Sequence, residues 1–163
     1  SFLFAVCVAH ISQHVVQFSQ AVPQGPTTLN VSLMNLDSLA GGYHVHILPI
    51  IPGSTDPCSN ANILGHFNPF AWNISNSPAP GTGTVDQYEL GDISGKFGML
   101  NGLNQLKTEY MDPNIPLTGP YSVVGRSINE LVNIPLSVFL SELQLYTGNP
   151  SELCCGRDIR EAR

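Results

Sequence analysis

A chain of 163 residues is long enough to bury one hydrophobic core without requiring a second domain. Only 11% of the residues are charged while Gly and Pro number 15 and 13, a balance that disfavours long solvent-exposed helices and favours an all-β chain of short strands and many turns. The formal charge of -6 leaves no basic footprint for a phosphate backbone and argues against DNA or RNA as partners.

In chain order, residues 1–9 read either as the remnant of a signal peptide lacking its positively charged start or as a first strand. No apolar run approaches the roughly 20 residues that cross a bilayer, so a membrane anchor is expected only outside this chain. Val15–Gln20 and residues 28–33 read as the two strands of a hairpin, separated by Pro23, Gly25 and Pro26. Gly41 and Gly42 break the chain before a strand at 43–47, whose polar residues are His44 and His46. Residues 49–80 read as a long loop carrying Cys58, His66 and the turn Phe67-Asn68-Pro69-Phe70; loops of that length are usually functional or disordered. Residues 86–92 open the next organised stretch, where Gly91, Gly95, Gly98 and Gly102 punctuate short strands and turns and disfavour helix. Residues 121–128 form the last clear strand. Residues 131–146 are ambiguous: Leu136, Phe139, Leu140 and Leu143 fit one helical face, but the spacing is mixed. No internal repeat or low-complexity tract is visible.

The chemistry concentrates in the histidines. His44 and His46, at i and i+2 on an extended segment, face the same side, and His66 on the following loop adds a third imidazole. Such a nitrogen-rich set suits copper first among the divalent metals. His10 and His14 read as surface or strand histidines, with the alternative that one completes the set. Cys7, Cys58, Cys154 and Cys155 leave several pairings open, and the adjacent Cys154 and Cys155 lack zinc-ligand spacing. Cys58 is alternatively a buried free thiol. Asn30-Val31-Ser32 and Asn73-Ile74-Ser75 are glycosylation acceptors if the chain is secreted. Asp92 is also placed to cap a turn before Ser94 and Gly95. Arg126 reads as a structural charge tying loop backbone to a carboxylate, and Trp72 with its neighbouring Phe residues reads as loop packing.

Gly42-Tyr43-His44-Val45-His46, Cys58, Gly65-His66-Phe67-Asn68-Pro69, Gly91-Asp92 and Val123-Val124-Gly125-Arg126-Ser127-Ile128 together, in order and approximate spacing over about residues 5–128, resemble the copper/zinc superoxide dismutases. The resemblance is closer to their secreted copper-only relatives and to the copper-only superoxide dismutase repeat domains of animals. It implies one domain over residues 1–163, with 129–163 divergent, folded as a Greek-key β-sandwich or barrel with long loops. By the same resemblance His44 and His46 are copper ligands, and His66 matches the histidine that bridges copper and zinc in the two-metal enzymes. Residues 70–90 contain no histidine, so no zinc is expected; Asp92 remains from the zinc site, and Glu89 matches the acidic residue of the copper-only enzymes. A carboxylate on the second nitrogen of His66 fixes its tautomer and raises its basicity.

Two positions depart from the family. Its fourth copper histidine falls on Leu131, and its substrate-guiding arginine falls on Glu152, where an acid repels an anionic substrate; nothing in the sequence assigns Arg157 or Arg160 to replace it. The family disulfide implies Cys58 with Cys155, Cys154 being a nearby alternative, and an oxidising compartment. The implied function is an extracellular or cell-surface, copper-only conversion of superoxide to oxygen and hydrogen peroxide, with His66 relaying a proton and Glu89 orienting it. The alternative is a non-catalytic structural or metal-carrier module of a larger secreted or cell-surface protein, flanked by neighbouring repeats. Leu131 and Glu152 favour this alternative.

Overall fold

The computed structural model describes residues 14–132 except 37, 39, 52, 53 and 55–57, together with 3–8, 153–154, 157–158 and 160–161; for these last four pieces and for 130–132 only the backbone is described. The start of the chain is a strand, β1 (Leu3–Val8), paired antiparallel along its length with β2 (Val15–Gln20). The expected hairpin follows: β2 pairs with β3 (Thr27–Leu33) from Gln20 against Thr27 to Val15 against Ser32. Gln20 lies inside the turn and donates to the Gly25 carbonyl at 2.6 Å, so the turn is braced by a side chain as well as by Pro and Gly.

The chain then crosses to a second sheet at β4 (Ala40–His46) and returns through two short helices, α1 (Asn60–Ile63) and α2 (Ile93–Phe97), to β5 (Leu106–Asp112), which pairs with β3. It crosses again into β6 (Ser127–Val132), antiparallel to β4, with β7 (Leu153–Cys154) and β8 (Arg157–Asp158) on β6 and β9 (Arg160–Glu161) on β1. One sheet runs β5-β3-β2-β1-β9 and the other β4-β6-β7, and the return of β5 to β3 after a visit to the other sheet is the connection of a Greek key. Both sheets contribute to one core: Phe18, Leu29 and Val31 from the first meet Tyr43, Val45 and Ile128 from the second. The all-β expectation holds.

Three sequence expectations need correction. Helix was disfavoured around Gly95, yet α2 forms there, because Asp92 accepts a hydrogen bond from the Gly95 backbone at 2.6 Å and so starts the turn. Lys96 then fixes the helix from below, its ammonium 2.6 Å from Asp112 on β5 and 2.8 Å from the Leu90 carbonyl, all buried. Residues 121–126 are not strand; Gly125 has φ +84°, and β6 begins only at Ser127. The long loop over 49–80 contains α1 and a 3-10 turn at Ile74–Asn76. The ambiguous segment 131–146, apart from the last two residues of β6, lies outside the described residues.

Candidate metal centre

Three chain segments are laced together through their backbones under the histidines. Val45 donates to the Gly91 carbonyl at 2.8 Å, Gly91 donates to the Phe67 carbonyl at 2.9 Å, and Phe67 donates to the Val45 carbonyl at 2.7 Å. The ring of bonds closes only because residue 91 is glycine: a Cβ there would lie 2.7 Å from the Val45 oxygen and 3.0 Å from the Phe67 oxygen. Val45 sits in the core between His44 and His46, so alternation turns both histidines to the opposite face of β4. The same lacing brings His66 opposite His46 and Asp92 opposite His44 as isolated bridges.

The rings form one cluster. His44 and His66 are stacked with centroids 4.1 Å apart, and His46 meets His66 edge-on at 5.3 Å. Each ring has one nitrogen held by the protein. His46 Nδ1 donates to the Leu64 carbonyl at 2.8 Å, and His66 Nδ1 donates to Glu89 Oε2 at 2.8 Å. Ser94 donates its hydroxyl to Asp92 Oδ1 at 3.2 Å, so the 3.0 Å contact between Ser94 Oγ and His44 Nε2 is a donation from His44. Lone pairs therefore remain on His44 Nδ1, His46 Nε2 and His66 Nε2, the form in which imidazole binds a metal.

Electrostatics favour the same state for the buried rings. The His44 pKa is lowered to about 3, first by burial and then by the neighbouring His66 and His46. Burial is also the largest influence on His46 and pushes it down. His66 is the most open of the three, its side chain 30% exposed against 11% for His44. Gly42 completes the slot for His44, since a Cβ there would lie 2.6 Å from the ring's Cε1.

The donor set fits a copper ion by chemistry: three imidazoles, each with one nitrogen held by the protein, and carboxylates behind two of them. As the rings stand, no group of three His, Cys, Asp or Glu side chains among the described residues surrounds a common ion position, so coordination requires the stacked pair to part. Glu89 occupies the second nitrogen of His66, the place a bridging zinc would take, and Asp92 is committed to the α2 cap and to Ser94. Asp92 therefore serves as the expected cap, and it also lies 3.4 Å from His44 Nε2.

His14 is not part of the cluster: its Nε2 contacts the Met34 carbonyl at the start of β2. His10, Glu152, Cys155 and the Leu131 side chain lie outside the described residues. Arg126 ties loop backbone together, donating to Ser122 O at 2.9 Å and Ile47 O at 2.8 Å, but its other contact is the Phe67 ring at 3.5 Å rather than a carboxylate. Trp72 is loop packing, its indole nitrogen bonded to Ser77 Oγ.

Sequence reasoning did not single out Ser94, the Leu64 carbonyl or the role of Asn68, which grips Trp72 at both ends of its amide and donates to Glu89 Oε1 at 3.1 Å. Ser94 stands two residues after Asp92, as side-chain-capped turns favour, and that spacing was the available signal. The backbone partner of His46 has no side-chain signature.

Residues 13–129 match the family model described as copper/zinc superoxide dismutase (SODC). A superoxide dismutase [Cu-Zn] of Saccharomyces cerevisiae is 33% identical over 115 residues, covering 70% of this chain and 66% of that protein, so the match spans just under two thirds of the relative's length. Among solved structures, the Cu(II) form of Candida albicans superoxide dismutase 5 aligns with a TM-score of 0.66 at 26% identity, covering 99% of this chain and 92% of that one. A mutant of the same Candida enzyme aligns with a TM-score of 0.64 at 24% identity over 98% and 88%, a likeness of fold.

Proposed function

Because this chain belongs to the copper/zinc superoxide dismutase family, we propose that it is a copper-only superoxide dismutase-like domain working outside the cell or at its surface, with His44, His46 and His66 as copper ligands. One observation carries the reading: each of the three rings has one nitrogen held by a protein group, leaving one lone pair per ring in a single cluster. Bound copper supplies the one-electron change that converts two superoxide ions to oxygen and hydrogen peroxide. The chain's residues do the rest. His66, the open ring, would carry a proton at Nε2 only when that lone pair is not engaged by copper, while Glu89 holds its Nδ1 and Asn68 holds Glu89. His44 and His46, more buried, keep their tautomers fixed through Ser94 and Leu64.

Zinc has no place in this reading, because Glu89 and Asp92 are spent on protein hydrogen bonds. Cys58 is disulfide-bonded, which supports the family disulfide, with Cys155 or the adjacent Cys154 as its proposed partner, and fits an oxidising compartment. Among the described residues no helix is long and apolar enough to cross a membrane. A second reading, a non-catalytic metal-binding module, is favoured by Leu131 at the position of the fourth ligand. Metal analysis after copper loading, paired with a superoxide consumption assay, separates the two. Turnover supports the enzyme, bound copper without turnover leaves the module, and no copper uptake removes both.

A further inference from the structure

The strand that faces the histidines carries an unexplained polar group. In the β4–β6 register His46 stands opposite Ser127, Val45 opposite Ile128, and His44 opposite Asn129. Directly opposed residues of an antiparallel pair share a face, so Asn129 lies on the histidine face beside His44, about 5 Å away at the Cβ atoms by ordinary sheet geometry. Every other side chain of this set is accounted for. His44 and His46 hold Ser94 and Leu64, Ser127 donates to the Leu48 carbonyl at 2.6 Å, and Val45 and Ile128 are in the core. Asn129 is 3% exposed, and its side-chain oxygen has no hydrogen-bond partner among the described residues.

A buried carbonyl oxygen without a partner is destabilising, and a chain under selection for stability alone would place an aliphatic residue at that position. A carboxamide oxygen is also among the weak donors that copper sites accept. Residue 131, where the family's fourth histidine falls in the sequence, is leucine and has no donor atom. We propose that the Asn129 side-chain oxygen is the fourth donor of the metal centre, giving three nitrogens and one oxygen in place of four imidazoles. The proposal rests on the copper reading above and adds to it the identity of a ligand.

The test is a Cu(II) titration of the purified chain, with EPR spectra, the Cu(II)/Cu(I) potential and a urea midpoint of the metal-free form, for the parent, Asn129→Val and Asn129→Asp. Asn129→Val is expected to weaken Cu(II) binding about tenfold or more, by comparison with the 10–100-fold that outer partners of ligands already carry, and to change the parallel EPR parameters. Loss of an oxygen donor, which favours the oxidised ion, is expected to raise the potential. The metal-free midpoint is expected to hold or rise, because the orphan oxygen is gone. Asn129→Asp keeps an oxygen in place and is expected to bind copper at least as tightly as the parent. In a Leu131→His background, which restores a fourth imidazole, Asn129→Val is expected to lose its effect on copper.

Parental copper affinity and an unchanged EPR spectrum in Asn129→Val, whatever happens to its midpoint, overturn the proposal and leave the three-histidine reading intact. A parent chain that takes up no copper overturns both.

Discussion

On the β4 side of the histidine cluster, the outward nitrogen of each ring ends on a protein group, and the backbones of Val45, Phe67 and Gly91 bind the three contributing segments to one another. On the β6 side the residue facing His44 is Asn129, whose oxygen has no partner among the described residues. The same face is thus over-determined on one flank and under-determined on the other. Ring orientation can be fixed by several weak bonds to groups that are themselves fixed, whereas a single donor on one strand depends on that strand alone. The three rings are therefore held as a unit whatever residue stands on the β6 side.

The first way to break this contrast is at the lacing. Gly91→Ala places a methyl within 2.7 Å of the Val45 oxygen and 3.0 Å of the Phe67 oxygen, so one strand or loop must move away. A loss of about 3 kcal/mol is expected in urea denaturation, with copper uptake lost as well, since overpacking against backbone has no cheap relaxation. Glu89→Ala acts on one ring only. It frees His66 Nδ1, and copper binding should weaken by about 10–100-fold in a competition titration while the fold survives.

A pH series sharpens the same flank. The His44 pKa is about 3 in the folded chain against about 6.5 unfolded, so the unfolded chain takes up the proton first. The stability from its neutral ring is fully present above about pH 6.5 and is lost progressively as pH falls toward 3. Between pH 7.5 and 5 the metal-free protein should lose about 2 kcal/mol from this ring, with His46 adding a loss of the same sign. A urea midpoint flat across that range would mean that the rings are not held neutral. The smallest effect expected is that of Ser94→Ala, which removes one link between His44 and Asp92 at about 1 kcal/mol, read as a modest fall in the thermal midpoint and a small change in copper affinity.

The parts legible in the sequence are those that depend on short periods. The β2–β3 hairpin shows alternation bounded by Pro and Gly, and the pairing of His44 with His46 follows from a period of two on β4. β5 had the same signal, with Leu106, Thr108 and Tyr110 turned inward and Lys107, Glu109 and Met111 outward, although its charged residues masked it. α2 was not legible because five residues show no helical period. Its existence depends on the Asp92 cap and on a buried ion pair to a strand 16 residues away. The apolar Val123 and Val124 suggested strand, but one fills the core from a turn that Gly125 makes possible. In the candidate metal centre, the three rings were readable from their spacing, whereas Glu89 was implied only by the family resemblance. The groups that hold the other two rings, Leu64 and Ser94, were not readable, since a backbone carbonyl has no sequence signature and a serine is ubiquitous.

Copper stoichiometry after dialysis, measured by elemental analysis on the parent chain and on His66→Ala, tests the shared site most directly. The cluster of one free nitrogen per ring predicts a single retained equivalent of copper in the parent and its loss in His66→Ala. A parent that retains no copper, or a His66→Ala chain that retains it undiminished, would contradict the assignment.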